Sequence, residues 1–313
     1  MYTVGIAYHN NCTLHKHIQD HIECPNRIKE VYDFLYKKGI LNKLYIVKPI
    51  QIKDTTLKLC HSDDYVDHLL NSLLTSKEYI FEEECTSAIG VQTLTSIYTA
   101  VGCICSALHT IHESHIKKIY CNVRPPGHHA SIDSTSGFCF VNNAAITALY
   151  ALKHFVSIKK IAIFDWDLHH GNGTQNIIEN HSNILYLSIH QNTFPYTGND
   201  TYHGKFNNIF NYGFDKINRK GYKKIFDDKI YTTIQQWDPD LIIISAGFDS
   251  HKNDVFRGFP LIENDFYYMT VQLCKLADKY CDGRLISILE GGYDLSILKQ
   301  CVYSHINALL NYK

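Results

Sequence analysis

Two carboxylates and an imidazole stand two residues apart in Asp165-Trp-Asp167-Leu-His169-His170. In extended chain alternate residues share a face, so Asp165, Asp167 and His169 would present their side chains together. The cluster directly follows the apolar run Ile161–Phe164, where unpaired carboxylates would be costly. That setting favours a metal site over a solvated acid–histidine turn. A catalytic zinc takes three protein ligands and keeps a fourth position open. Asp167 and His169 supply two, and Asp249 in Ser-Ala-Gly-Phe-Asp-Ser is placed to be the third. Alone, Asp249 would read as a turn or helix N-cap residue, and only its position after another apolar run promotes it.

Two further segments carry reactive groups. His128 and His129 follow Arg124-Pro-Pro-Gly127, a stretch whose prolines restrict the backbone and whose glycine lets it turn tightly. Adjacent imidazoles held there could take a proton from water and give one to a leaving amine; a second metal site or two surface histidines is the competing reading. Gly291-Gly292-Tyr293-Asp294 allows close backbone approach and could bring the Tyr293 hydroxyl to a developing oxyanion, although a tyrosine after such a turn is commonly packing. No GxSxG and no GxxxxGK[ST] occurs, so serine-hydrolase and P-loop readings have no basis.

The elements that must position these groups are legible. Val4–Tyr8, Ile119–Val123, Ile161–Phe164, Ile184–Ile189, Leu241–Ser245 and Leu285–Leu289 are short runs suited to a parallel sheet covered on both faces. Longer amphipathic segments separate them: Ile28–Lys38, Leu94–Glu113, Val141–His154, Tyr222–Gln236 and Asp265–Tyr280. The alternation predicts an α/β domain. Four of the predicted strands end in Gly, Asp, His or Tyr, and ligands of such sheets sit beyond the carboxyl ends of the strands.

The 313 residues are 45% hydrophobic and 19% charged, enough apolar material for a core, and no linker or repeat divides them, so one domain over 1–313 is expected. Thirty Lys and Arg against 31 Asp and Glu argue against a generic nucleic-acid coat or a polybasic membrane binder, and no direct sequence-specific nucleic-acid binding is expected. No apolar run approaches the ~20 residues of a bilayer span, and no secretory signal is visible. The expected location is the cytoplasm, with nuclear entry by association as the second choice. Eleven cysteines with no CxxC read as reduced thiols in a packed interior.

In order, RPPGHHA, SGFCFVNNAAI, IFDWDLHHGNGTQ, LSIHQNTFPYTG, SAGFDSHKND and LEGGYDL resemble the signature blocks of the zinc-dependent histone deacetylase and acetylpolyamine amidohydrolase family. HIECPNR and CHSDDYV resemble its amino-terminal segments, and Asn172 in HHGNGTQ leans toward the class II-like branch. The resemblance implies the arginase/deacetylase fold, a central parallel sheet of about eight strands flanked by helices. It implies one catalytic Zn2+ on Asp167, His169 and Asp249. His129 would be the general base and acid, held by Asn172, with His128 as electrostatic partner oriented by Asp165. Tyr293 would hydrogen-bond the substrate carbonyl. A structural monovalent cation, usually K+, would take Asp165, the carbonyls of Asp167, His169 and Ile189, and the Ser188 hydroxyl. Phe138 and Phe194, with Gly137, would wall a channel that has Phe256 at its rim and Arg27 near its foot.

The implied activity is removal of acetyl groups from lysine side chains of proteins or peptides. Acetylpolyamine deacetylation is the alternative, and an inactive acetyl-lysine binder is a further one. Some positions depart from the family pattern. Ile22 replaces a proline, and Val255-Phe256 stands where proline and a smaller aliphatic are usual, so a bulkier rim is expected. Glu82-Glu83-Glu84 lies where the family usually carries an aspartate that grips the substrate backbone. It could bind a peptide, attract a cationic polyamine, or be a solvated loop.

Overall fold

The apolar runs become strands because each is buried on both faces. The computed structural model describes residues 2–18, 20–76, 79–81 and 86–312, so the Glu82–Glu84 expectation lies outside the described residues. The strands are β1 (Val4–Ala7), β2 (Tyr45–Val47), β3 (Tyr79–Phe81), β4 (Thr86–Ala88) and β5 (Lys118–Cys121), followed by β6 (Ile161–Asp165), β7 (Ile184–Gln191), β8 (Ile209–Phe214), β9 (Leu241–Ala246) and β10 (Leu285–Leu289). Eight of them form one sheet in the order β2-β1-β5-β10-β9-β6-β7-β8, with β3 and β4 as a separate antiparallel pair. Every pairing in the large sheet is parallel. All its strands therefore end at the same edge.

Flanking helices follow from apolar spacing and local caps. In Asn26–Lys37 the buried residues Ile28, Val31 and Leu35 form one stripe. Asn142 caps Asn143–His154 by accepting the Ala145 N–H, and its amide donates to the Ala130 carbonyl, which ties this helix to the tandem-histidine loop. Predicted helix Tyr222–Gln236 is seen as Arg219–Ile225, a π turn over Phe226–Tyr231, and Thr232–Trp237. Helix Gly90–Glu113 is long and apolar enough, by length and composition, to cross a membrane. Here it is a core helix, with Thr93, Ile97, Val101, Ile104 and Leu108 buried. Polar residues interrupt its sequence, so it shows no continuous apolar run.

The strands missed from sequence are those with the weakest pattern. Edge strand β2 has three residues, two of them exposed, and edge strand β8 is mostly half-buried. Helices Asp63–Thr75 and Leu295–Asn311 begin at Ser62 and Asp294 caps, signals that could have revealed both. The described cysteines are free thiols, all buried except the half-buried Cys24, and burial pushes groups such as Cys105 up to about 12.

Ile243 lies at the sheet centre, opposite Ile163 on one side and Ile286 on the other, and is fully buried. Ile243→Ala is expected to cost about 3–4 kcal/mol of unfolding free energy in urea denaturation, because the paired strands cannot collapse into the void.

Candidate active site

Because β5, β10, β9, β6 and β7 are adjacent and parallel, their following loops meet at one place. The loop after β5 carries His128 and His129, that after β6 Asp167 and His169, that after β9 Asp249, and that after β10 Tyr293. Phe194 follows β7. Every one of these side chains except Phe194 is buried.

Asp167, His169 and Asp249 place their ligand atoms within 4.8 Å of one another. His169 Nδ1 is 3.1 Å from Asp167 Oδ1 and 3.0 Å from Asp249 Oδ2. One imidazole nitrogen can donate only one proton, and Asp249 Oδ2 is left buried without a hydrogen-bond partner. The remaining carboxylate oxygens are held by backbone: Asp249 Oδ1 accepts the Leu168 N–H at 2.9 Å, and Asp167 Oδ2 the Gly291 N–H at 2.8 Å. Burial first and Asp167 next push the Asp249 carboxyl up to about 7, against the pull of His169. Two buried carboxylates and one imidazole, with an oxygen unclaimed, suit a divalent cation with an open position. Gly291 lines the cradle, since a Cβ there would fall 2.5 Å from both Asp167 Oδ2 and Asp249 Oδ2.

The tandem histidines differ in partner. His128 Nδ1 lies 3.0 Å from Asp165 Oδ2, which also accepts the Tyr186 hydroxyl at 3.2 Å. Burial disfavours a charged His128, yet Asp167 and Asp165 push its pKa up to about 10. His129 Nδ1 instead donates to the neutral Asn172 Oδ1 at 2.7 Å. Burial, followed by His128 and His169, holds His129 well below the ordinary imidazole range. A neutral ring therefore stands beside a charged one.

A cavity of about 350 Å³ leads to this centre, lined by His129, Gly137, Phe138, His169, Phe194, Phe256 and Tyr293. Phe194 lies across the His129 ring at 5.1 Å and 69°, and Phe256, 42% exposed, across His169 at 4.8 Å and 82°. Gly137 has φ +49°, and a Cβ there would come within 2.2 Å of His129 Cδ2, so the wall needs glycine. Arg27 does not line this cavity. It sits behind Tyr293, its guanidinium 4.8 Å from the ring centroid and bonded to Glu23 and the carbonyls of Glu290 and Gly292. In the other corner Asp165 and Ser188 are partners in the β6–β7 register, with Ile189 next in β7. Ser188 Oγ is 2.9 Å from His190 Nδ1.

The sequence model of the histone deacetylase domain matches residues 21–309. The chain belongs to the histone deacetylase family. It is 30% identical over 301 residues to the "Probable deacetylase" of Archaeoglobus fulgidus, covering 93% of this chain and 81% of that one. It is 31% identical to "Type-2 histone deacetylase 2" of Dictyostelium discoideum and 29% to "Histone deacetylase 5" of Arabidopsis thaliana, covering 98% and 99% of this chain. Of these two eukaryotic relatives the chain spans only 21% and 49% of the length. Among solved structures, the crystal structure of the HDA15 HD domain superposes with a TM-score of 0.91 at 29% identity, over 99% of this chain and 88% of that one.

In this member of the histone deacetylase family a second buried cluster, His15, His17 and Glu23, also gathers possible metal ligands. It is an ion-pair hub. Glu23 accepts Arg124 Nη2 at 2.5 Å and Arg27 Nη1 at 3.0 Å, with a further bond from Arg124 Nε, so two guanidiniums occupy its carboxylate. Burial alone would raise the Glu23 carboxyl, but Arg124, His17 and Arg27 hold it well below the usual range. Glu290 is a second group missed from sequence: its Oε2 accepts the N–H of Gly127 at 2.7 Å and of His128 at 3.1 Å, seating the histidine loop. The signal was available, since Glu290 follows an apolar strand as Asp165 ends one.

Glu23→Gln would leave two buried guanidiniums without their anion, and a loss of about 3–5 kcal/mol at pH 7 is expected. Because the folded-state pKa is depressed, this stabilisation is present above the unfolded value and lost as pH falls below about 4.3. Urea denaturation of both proteins from pH 7 to pH 3 should show the difference narrowing in that range.

Proposed function

We propose that this domain removes acetyl groups from lysine side chains of proteins or peptides by zinc-dependent hydrolysis. The observation that carries the reading is the unclaimed Asp249 Oδ2 beside His169 and Asp167, at the foot of a neutral aromatic channel. Asp167, His169 and Asp249 would hold Zn2+, which supplies Lewis-acid polarisation of the carbonyl and a lower pKa for water. The Asp165–Ser188 corner is proposed to hold the monovalent cation.

The chain's own residues divide the remaining work. With its Nδ1 proton committed to Asn172, His129 keeps a free lone pair on Nε2 and takes a proton from the attacking water. His128, charged through Asp165, stabilises negative charge beside it. Burial holds the Tyr293 hydroxyl well above its ordinary pKa despite nearby Arg27, so it stays a donor and can bond the tetrahedral oxyanion. His129 then returns its proton to the leaving amine. Phe138, Phe194 and Phe256 suit a thin uncharged methylene chain, and desolvation there disfavours a free ammonium.

Acetate release from an acetyl-lysine peptide and from acetylputrescine, with zinc-loaded and chelated protein, tests the reading. Chelator-sensitive turnover of the peptide is expected. Preference for acetylputrescine would make it a polyamine enzyme, and silence on both with zinc bound would leave a longer acyl group as substrate or a binding-only domain. Tyr293→Phe should keep its zinc, read by metal analysis, while kcat falls about 10²–10³-fold. Asn172→Asp would place a carboxylate on His129 Nδ1 and stabilise the imidazolium. The acid limb of the kcat/KM profile should therefore move to higher pH.

A further inference from the structure

Tyr293 follows Gly291 and Gly292, and Gly292 has φ +114°, a conformation open to glycine alone. Such a backbone has little stiffness of its own, so the hydroxyl must be placed from outside. Two side chains grip the loop from opposite chemical sides. Arg27 holds carbonyls, with Nε donating to Gly292 O at 2.6 Å and Nη2 to Glu290 O. Asp254 holds amides: its Oδ2 accepts the N–H of Tyr293 at 2.7 Å and of Asp294 at 3.0 Å.

Asp254 is 1% exposed and, among the described residues, makes no ion pair, its charge being met by backbone N–H groups. It is not the cap of the following helix, because Asp294 Oδ1 already accepts the N–H of Ser296 and Ile297. The third amide it accepts, at 3.3 Å on Oδ1, belongs to Phe256. The Phe256 ring lies across Tyr293 at 5.4 Å and 79°. One buried carboxylate thus joins the backbone of the channel rim to that of the hydroxyl donor.

We propose that Asp254 is a positioning residue, one that sets the Tyr293 hydroxyl at the oxyanion and couples its place to the Phe256 rim. The proposal rests on the reading of Tyr293 as oxyanion donor. Displacement of a catalytic group by about 1 Å costs on the order of 10²-fold, which sets the scale of the expected effect.

The test uses Asp254→Ala and Asp254→Asn, each alone and combined with Tyr293→Phe. In the alanine variant, hydrogen exchange at the Tyr293 and Asp294 amides should quicken at least about tenfold, and kcat should fall about 10–100-fold with KM within about threefold and zinc content unchanged. Asp254→Asn keeps an oxygen that can accept both amides and should restore protection and most of kcat. In the Tyr293→Phe background, loss of Asp254 should cost less than about threefold more. Unchanged amide exchange, or a full tenfold loss persisting without the tyrosine hydroxyl, would overturn the proposal. If Asp254→Ala does not fold, Asp254→Ser, whose hydroxyl reaches less far, is expected to show the same exchange and rate pattern. Should the unaltered protein hydrolyse neither acetylated substrate, the functional reading fails, and the exchange measurement alone decides whether Asp254 grips the loop.

Discussion

A carboxylate moved from water into a protein interior costs several kcal/mol unless positive charge or N–H groups replace its hydration. Glu23, Asp165, Asp167, Asp249 and Glu290 are all fully buried here, and much of the architecture exists to answer them. Glu23 has two arginines, Asp165 has His128 and the Tyr186 hydroxyl, and Glu290 has the amides that begin the histidine loop. Asp167 and Asp249 share the His169 imidazole, and the next cationic group, His128 Nε2, lies 3.7 Å from Asp167 Oδ1 and is already paired with Asp165 through Nδ1. That shortfall of positive charge, where the aromatic channel arrives, is what singles out the candidate metal corner.

The same accounting separates the two histidines. Neighbours in sequence and 4.0 Å apart between ring centroids, they cannot both be cations without mutual repulsion. A charged partner for one and an amide partner for the other resolves the conflict and gives each a different chemical character. The aromatic walls add a third selection, by thickness and charge of the entering chain. Family membership rests on the match over residues 21–309.

The central strands were legible because burial on both faces leaves an unbroken apolar run, as in Leu241–Ile244. Edges were not: Tyr45 and Ile46 face solvent, and a three-residue strand leaves little pattern. The loops bearing Asp167, His169, Asp249 and the tandem histidines could be read because each stands directly after such a run. The supports were hidden for a different reason. Glu23 and Arg124 are 101 positions apart, and Gly127 and Glu290 are 163 apart, so only the fold makes them partners. The Arg27 guanidinium, expected near the channel's foot, lies behind Tyr293 and holds the tyrosine loop.

The strand order has a consequence for how the protein comes to exist. β10 is last in the chain yet lies between β5 and β9, in the middle of the sheet. A nascent chain that has emerged only through β9 can build two half-sheets, β2-β1-β5 and β9-β6-β7-β8, each with an open parallel edge. Such edges invite pairing with other chains until the missing strand arrives. Synthesis must reach β10 before the halves join, and the insertion that closes the gap also delivers Tyr293. Chains halted before that point would carry Asp167, His169 and Asp249 but expose two unpaired strand edges.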